Sequence, residues 1–193
     1  VPSRDHTERM LLAAGAPVAR EATGNGGYLA LRGSLPATVV RGMSMTAAFL
    51  IANVALGIHL LHPHFYLSTE WGVPFGTVAI AIPFYLARPD LTALHVERTG
   101  FTEGVGRSDL LRYLRHEMGH VVNYAYRLYD EEGWVECFGA ITQPYVEEYR
   151  PQPFSHRFVH HLPGWYAQKH PDEAWAETFA VWLDPDSQWR ERY

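Results

Sequence analysis

At 193 residues, with 47% hydrophobic and 19% charged side chains, the chain has the makeup of one globular domain with a sizeable core. A net charge of −5 without any basic stripe argues against a nucleic-acid binder, which needs phosphate contacts. The single Cys137 excludes an internal disulfide and a cysteine metal cluster, and reads as a small buried apolar side chain.

Residues 1–35 mix Arg and Glu with the glycine-rich Gly24-Asn25-Gly26-Gly27, the pattern of an arm or short hairpin, and residues 36–193 are expected to form the compact domain. The chain opens on Val1 rather than Met and shows no signal peptide, so the expectation is a soluble, cytoplasmic protein from which an upstream segment has been removed. From Met43 to Leu61 no Lys, Arg, Asp or Glu occurs, yet Ser44, Thr46, Asn53, Gly57 and His59 interrupt the run and His62-Pro63 follows it. That makes a poor bilayer span and a better core helix, packed behind the main helix of the domain. Between Thr77 and Leu86, Val78-Ala79-Ile80-Ala81-Ile82-Pro83-Phe84 has strand character, with Pro83 pushing it towards a sheet edge.

The next stretch is strongly helical. Ser108 reads as an N-cap and Asp109 as a first-turn acid, and Leu110, Leu111, Leu114, Met118, Val121, Val122, Ala125 and Leu128 follow at near-helical spacing. Gly133, after Asp130-Glu131-Glu132, reads as the stop. Inside this helix stands His116-Glu117-Met118-Gly119-His120. Residues four apart lie on one face, so His116 and His120 can converge on a single zinc ion, while Glu117 projects about 100° away, beside the metal's open position. It is placed to act as a general base. The plain alternative is a surface pair of histidines one turn apart.

A catalytic zinc takes a third protein ligand. From Trp134 to Trp165 the chain is rich in proline and aromatic residues, expected as loop over the cleft with short helical pieces. A second helix then follows, with His170 as its cap, Pro171 at the first helical position, Asp172 and Glu173 at the positive end of its dipole, and Asp184-Pro185 closing it. Glu173 and Glu177 share one face, and spacing alone leaves open which of them binds metal.

Tyr166-Ala167, His170-Pro171, Glu173, Trp175-Ala176-Glu177-Thr178-Phe179-Ala180 and Trp182-Leu183 resemble the pattern of a family of bacterial zinc-binding metallopeptidases. Arg115-His116-Glu117 with Gly119-His120 matches that family's metal helix, and the likeness extends upstream through Trp71-Gly72-Val73-Pro74 and Ile82-Pro83-Phe84-Tyr85-Leu86. A more distant similarity is to gluzincins of the anthrax lethal factor and Pro-Pro endopeptidase type, where a tyrosine stands seven residues before the ligand glutamate and an acid four after it. The resemblance implies an α+β, helix-rich, zincin-like fold with a small sheet upstream of the metal helix. It makes Glu173 the third ligand, Glu177 the acceptor of a hydrogen bond from the outer nitrogen of a zinc histidine, and Tyr166 the donor to the oxyanion.

The reaction so implied is hydrolysis of peptide bonds in a peptide or protein substrate by a zinc-activated water, with Glu117 as base. The strand at Ile80 and Ile82 is expected to hold the peptide in extended form, and His170 to reach the pocket rim. A zinc amidohydrolase acting on a small or peptide-like natural product would use the same residues. A non-catalytic zinc module would need neither Glu117 nor Tyr166.

Overall fold

Short runs of apolar and β-branched residues form the strands. The computed structural model describes residues 18–21, 28–31, 61, 63–146 and 148–192. In it β1 (Val18–Glu21) pairs antiparallel with β2 (Tyr28–Leu31), and β3 (His64–Ser68) pairs in parallel with β4 (Ala79–Pro83), Phe65 facing Ile80 and Leu67 facing Ile82. The 35/36 domain boundary, the Gly24–Gly27 turn and the core helix expected from Met43 lie outside the described residues, apart from Leu61, which packs partly buried against the core. No helix among the described residues is long and apolar enough to cross a membrane.

β4 ends at Pro83, whose ring can donate nothing further to a ladder, and Phe84–Ala87 turns away as a 3-10 helix. On the edge of β4 away from β3, the Ala81 amide donates to the Gly72 carbonyl at 2.8 Å. Helix α1 (Pro89–Thr99) follows, opened by Pro89 at its first turn and closed by Gly100 in the left-handed conformation, φ 76°.

Helix α2 (Arg107–Tyr126) is the centre of the domain, with buried residues running from Tyr113 to Asn123. Its caps differ from the sequence expectation. Gly106, not Ser108, precedes it, and Asp109 reaches back to accept the Gly104 amide at 2.7 Å, tying the approach turn to the first helical turn. It stops at Arg127 in the left-handed conformation, not at Gly133. The chain turns once through Leu128–Asp130 and starts α3 (Glu132–Phe138), so Glu131 and Glu132 stand at a helix N-terminus, where the dipole favours them, rather than at a C-terminus, where it would not. Cys137 is exposed on this short helix, not buried, because α3 turns Trp134 inward in its place.

Gly139–Trp165 runs irregularly to a 3-10 turn at Tyr166–Gln168. Helix α4 (Pro171–Leu183) then crosses α2, and α5 (Trp189–Arg192) ends the described chain. At the N-terminus of α4, His170 is extended and its Nδ1 accepts the Asp172 amide at 3.2 Å. The core between sheet and helices is Ile80, Leu114, Met118, Val121, Val122, Phe179 and Leu183. Leu114, Met118 and Val121 are fully enclosed, each contributing about 1.5–3 kcal/mol by leaving water.

The crossing is close because position 119 carries no side chain. A Cβ there would stand 2.8 Å from Ala176 Cα and 3.1 Å from its carbonyl oxygen, and the Trp175 indole N–H donates to the Gly119 carbonyl at 2.8 Å. Gly119→Ala is therefore expected to push α4 off α2 and destabilise the fold by about 1–3 kcal/mol, read as a lowered melting temperature. An unchanged melting temperature would show that the helices separate without cost.

Candidate metal centre

The crossing of α2 and α4 sets two imidazoles against one carboxylate. His116 Nε2 and His120 Nε2 are 3.2 Å apart, and Glu173 Oε2 lies 3.1 Å from the first and 3.3 Å from the second. Among the described residues these three form the group whose ligand atoms could hold a metal ion. With zinc bonds of about 2.0–2.1 Å, tetrahedral ligand atoms sit about 3.3 Å apart, so the triangle already has the size a zinc ion needs.

The outer nitrogens decide the tautomers. His116 Nδ1 donates to Glu177 Oε1 at 3.0 Å, and His120 Nδ1 donates to Asp172 Oδ2 at 3.0 Å. Neutral rings fixed this way present bare Nε2 lone pairs to each other and to Glu173 Oε2, which has no hydrogen-bond partner. Three acceptors converging in a buried space repel unless positive charge lies between them. The electrostatics agree. Burial opposes the charged form of both imidazoles, yet Glu173 and Glu177 raise His116 from 6.5 to about 9, and Asp172 with Glu173 raises His120 well above 6.5. Burial likewise works against the ionised Glu173, but His120 and His116 hold it well below 4.5. The residues fit a divalent cation.

Both orienting carboxylates are themselves held. Glu177, fully buried, accepts the backbone amides of His161 and Leu162 on Oε2, each at 2.9 Å. Asp172 accepts the Asn123 side-chain amide at 2.7 Å and the Tyr124 hydroxyl, and together with His120 these keep it below its ordinary value against the pull of burial. From the sequence, Asp172 is legible only as a first-turn acid. The signal for more lay in its place directly before Glu173, which brings it round to the second histidine of the motif.

Glu117 is 4% exposed, lines the cleft, and leaves Oε2 without a partner. Burial raises its pKa above 4.5, although the two imidazoles pull the other way. Tyr166 stands edge-on to His116, ring centroids 5.7 Å apart, with its pKa raised by burial and Glu173. The cleft holds about 660 Å³. It is lined by His116, Glu117, His120 and Tyr124 of α2, by Glu70–Val73 and Phe75, and by Ile141, Gln143, Tyr145, Tyr166 and His170.

The profile of the family described as putative zinc-binding metallo-peptidase matches residues 76–187, more than half of the chain. The chain belongs to this family. No curated protein and no solved structure matches it. The matched span of this metallopeptidase-family chain contains both histidines, Glu117, Tyr166, Glu173 and Glu177, but not Glu70–Val73.

The strand at Ile80 and Ile82 departs from the sequence expectation of a peptide-holding edge. Ile80 is fully enclosed in the core and Ile82 packs against it, and neither lines the cleft. The bridge from Gly72 covers β4 on that side, and Glu70–Val73 line the cleft instead.

Asp172→Ala frees the outer nitrogen of His120 and is expected to weaken zinc binding about 10–100-fold, measured by competition with a chromogenic chelator. An unaltered affinity would show that the Asp172 contact does no orienting. Protons and metal compete for the same nitrogen lone pairs. With both imidazoles raised above 6.5, zinc affinity is expected to keep climbing with pH beyond that value, whereas a plateau already near 6.5 would mark ordinary histidines.

Proposed function

We propose that this protein is a zinc-dependent peptidase of the gluzincin type, with His116, His120 and Glu173 as the zinc ligands, Glu117 as general base and Tyr166 as oxyanion donor. One observation carries the reading: a buried carboxylate with an unpartnered oxygen, Glu117, lines the same cleft on which two imidazoles and Glu173 converge. Membership of the metallopeptidase family supports it, as does the order of Tyr166, Glu173 and Glu177 along the chain. A zinc site serving structure alone needs neither a spare base nor a phenol at its edge.

Bound zinc supplies Lewis acidity towards a carbonyl and lowers the pKa of water to about 7. The chain's own groups do the rest. Glu117 accepts a proton from the attacking water at Oε2, and burial raises its pKa and so strengthens it as a base. It then returns that proton to the leaving amine. Tyr166 donates its hydroxyl proton to the carbonyl oxygen as negative charge builds there. Glu177 and Asp172 keep the imidazoles in the tautomer that leaves each Nε2 free. Glu70–Val73 offers peptide backbone to an extended substrate lying along α2.

Glu117→Gln preserves size and hydrogen bonding but cannot take a proton. It is expected to retain zinc by metal analysis while hydrolysis of a peptide library falls by at least about 10²–10⁴-fold, whereas His120→Ala loses the metal. Wild-type turnover in Glu117→Gln would remove Glu117 from the role of base.

A further inference from the structure

We propose that Tyr145 is a positioning residue of the metal centre: it holds Glu173 to one free oxygen and directs the hydroxyl of Tyr166. The inference rests on the reading of His116, His120 and Glu173 as a zinc site. Tyr145 belongs to neither metal-site helix but to the connection between α3 and α4. Its hydroxyl donates to Glu173 Oε1 at 2.7 Å and lies 3.3 Å from the hydroxyl of Tyr166.

A phenol has one proton to give, and an ionised carboxylate can only accept. The Tyr145 proton is therefore committed to Glu173, and its oxygen is left as the acceptor for Tyr166. Two consequences follow from this bookkeeping. Glu173 Oε1 is occupied, so Oε2 alone faces the two imidazoles, at 3.1 and 3.3 Å. The Tyr166 proton is aimed at a point beside Glu173 within the cleft, where an arriving carbonyl oxygen can receive it in exchange for Tyr145. Lys169 Nζ, 4.6 Å from the Tyr145 ring centroid and 5.1 Å from that of Tyr166, lies over both rings and gathers the phenols as a pair. The same connection fixes Glu177 through the His161 and Leu162 amides. Both α4 carboxylates that face His116 are thus held from one segment.

Tyr145→Phe removes only the hydroxyl, from a side chain that is 44% exposed, so the fold is expected to persist with an unchanged melting temperature of the zinc-depleted protein. Zinc affinity in chelator competition is expected to fall about 10–100-fold. In the cobalt(II)-substituted protein, the visible d–d absorption is expected to weaken as Glu173, freed at Oε1, brings its second oxygen to the ion and raises the coordination number. Tyr166→Phe is expected to leave zinc affinity and cobalt spectrum as in the wild type while lowering kcat. The proposal is overturned if Tyr145→Phe keeps wild-type zinc affinity and cobalt spectrum, whether or not cleavage is lost. A wild-type protein that binds no zinc would instead overturn the metal reading, so the two failures are told apart.

Discussion

The contact of α4 against Gly119 is the constraint on which the rest of the site depends. The ligand atoms carried on the two helices lie 3.1–3.3 Å apart where the backbones behind them nearly touch, and a Cβ at position 119 would press on Ala176 and disturb that geometry. The glycine is therefore as much a part of the candidate metal centre as the histidines on either side of it, although it contributes no donor atom. The indole of Trp175 closes the same junction by donating to the Gly119 carbonyl.

That junction carries an electrostatic load. Asp172, Glu117, Glu173 and Glu177 are all buried around the imidazoles of His116 and His120. Burying carboxylates without compensation would cost several kcal/mol each. Glu177 is compensated by two backbone amides and His116, Asp172 by Asn123, Tyr124 and His120, and Glu173 by Tyr145 on its outer oxygen. The oxygens left over are Glu173 Oε2 and Glu117 Oε2. One points at the ligand triangle and the other belongs to the carboxylate beside it, so the uncompensated polarity is concentrated where a cation and its chemistry would be.

The irregular connection before α4 is more than a lid over a finished site. It supplies the amides that anchor Glu177 and the phenol that anchors Glu173. Both anchors act through α4, on side chains one helical turn apart. The loop therefore contacts both α4 carboxylates that face His116. Of its aromatic side chains, Tyr145 donates to the Glu173 carboxylate at the cleft, while Phe138 of the preceding helix α3 packs edge-on to Trp175.

Much of the site could be read from spacing. The paired histidines, Glu117 between them, and Glu173 with Glu177 on the second helix are contacts of period and register, and both helices form where their apolar repeats place them. The helix ends were less legible, because a left-handed Arg127 and an N-terminal Gly106 are conformations that neighbouring structure imposes on residues with weak local preference. Ile80 and Ile82 misled for a related reason: a strand pattern reports that a face is buried, not which segment covers its edge, and Gly72 covers this one. By itself the sequence determined the donor types and the helical periodicity that carries them, since these are local properties. Only the tertiary structure decided which carboxylate meets which nitrogen, Asp172 with His120, Glu177 with His116, Tyr145 with Glu173, because those pairings join residues 28 to 61 positions apart and depend on how closely two helices and a loop can pack.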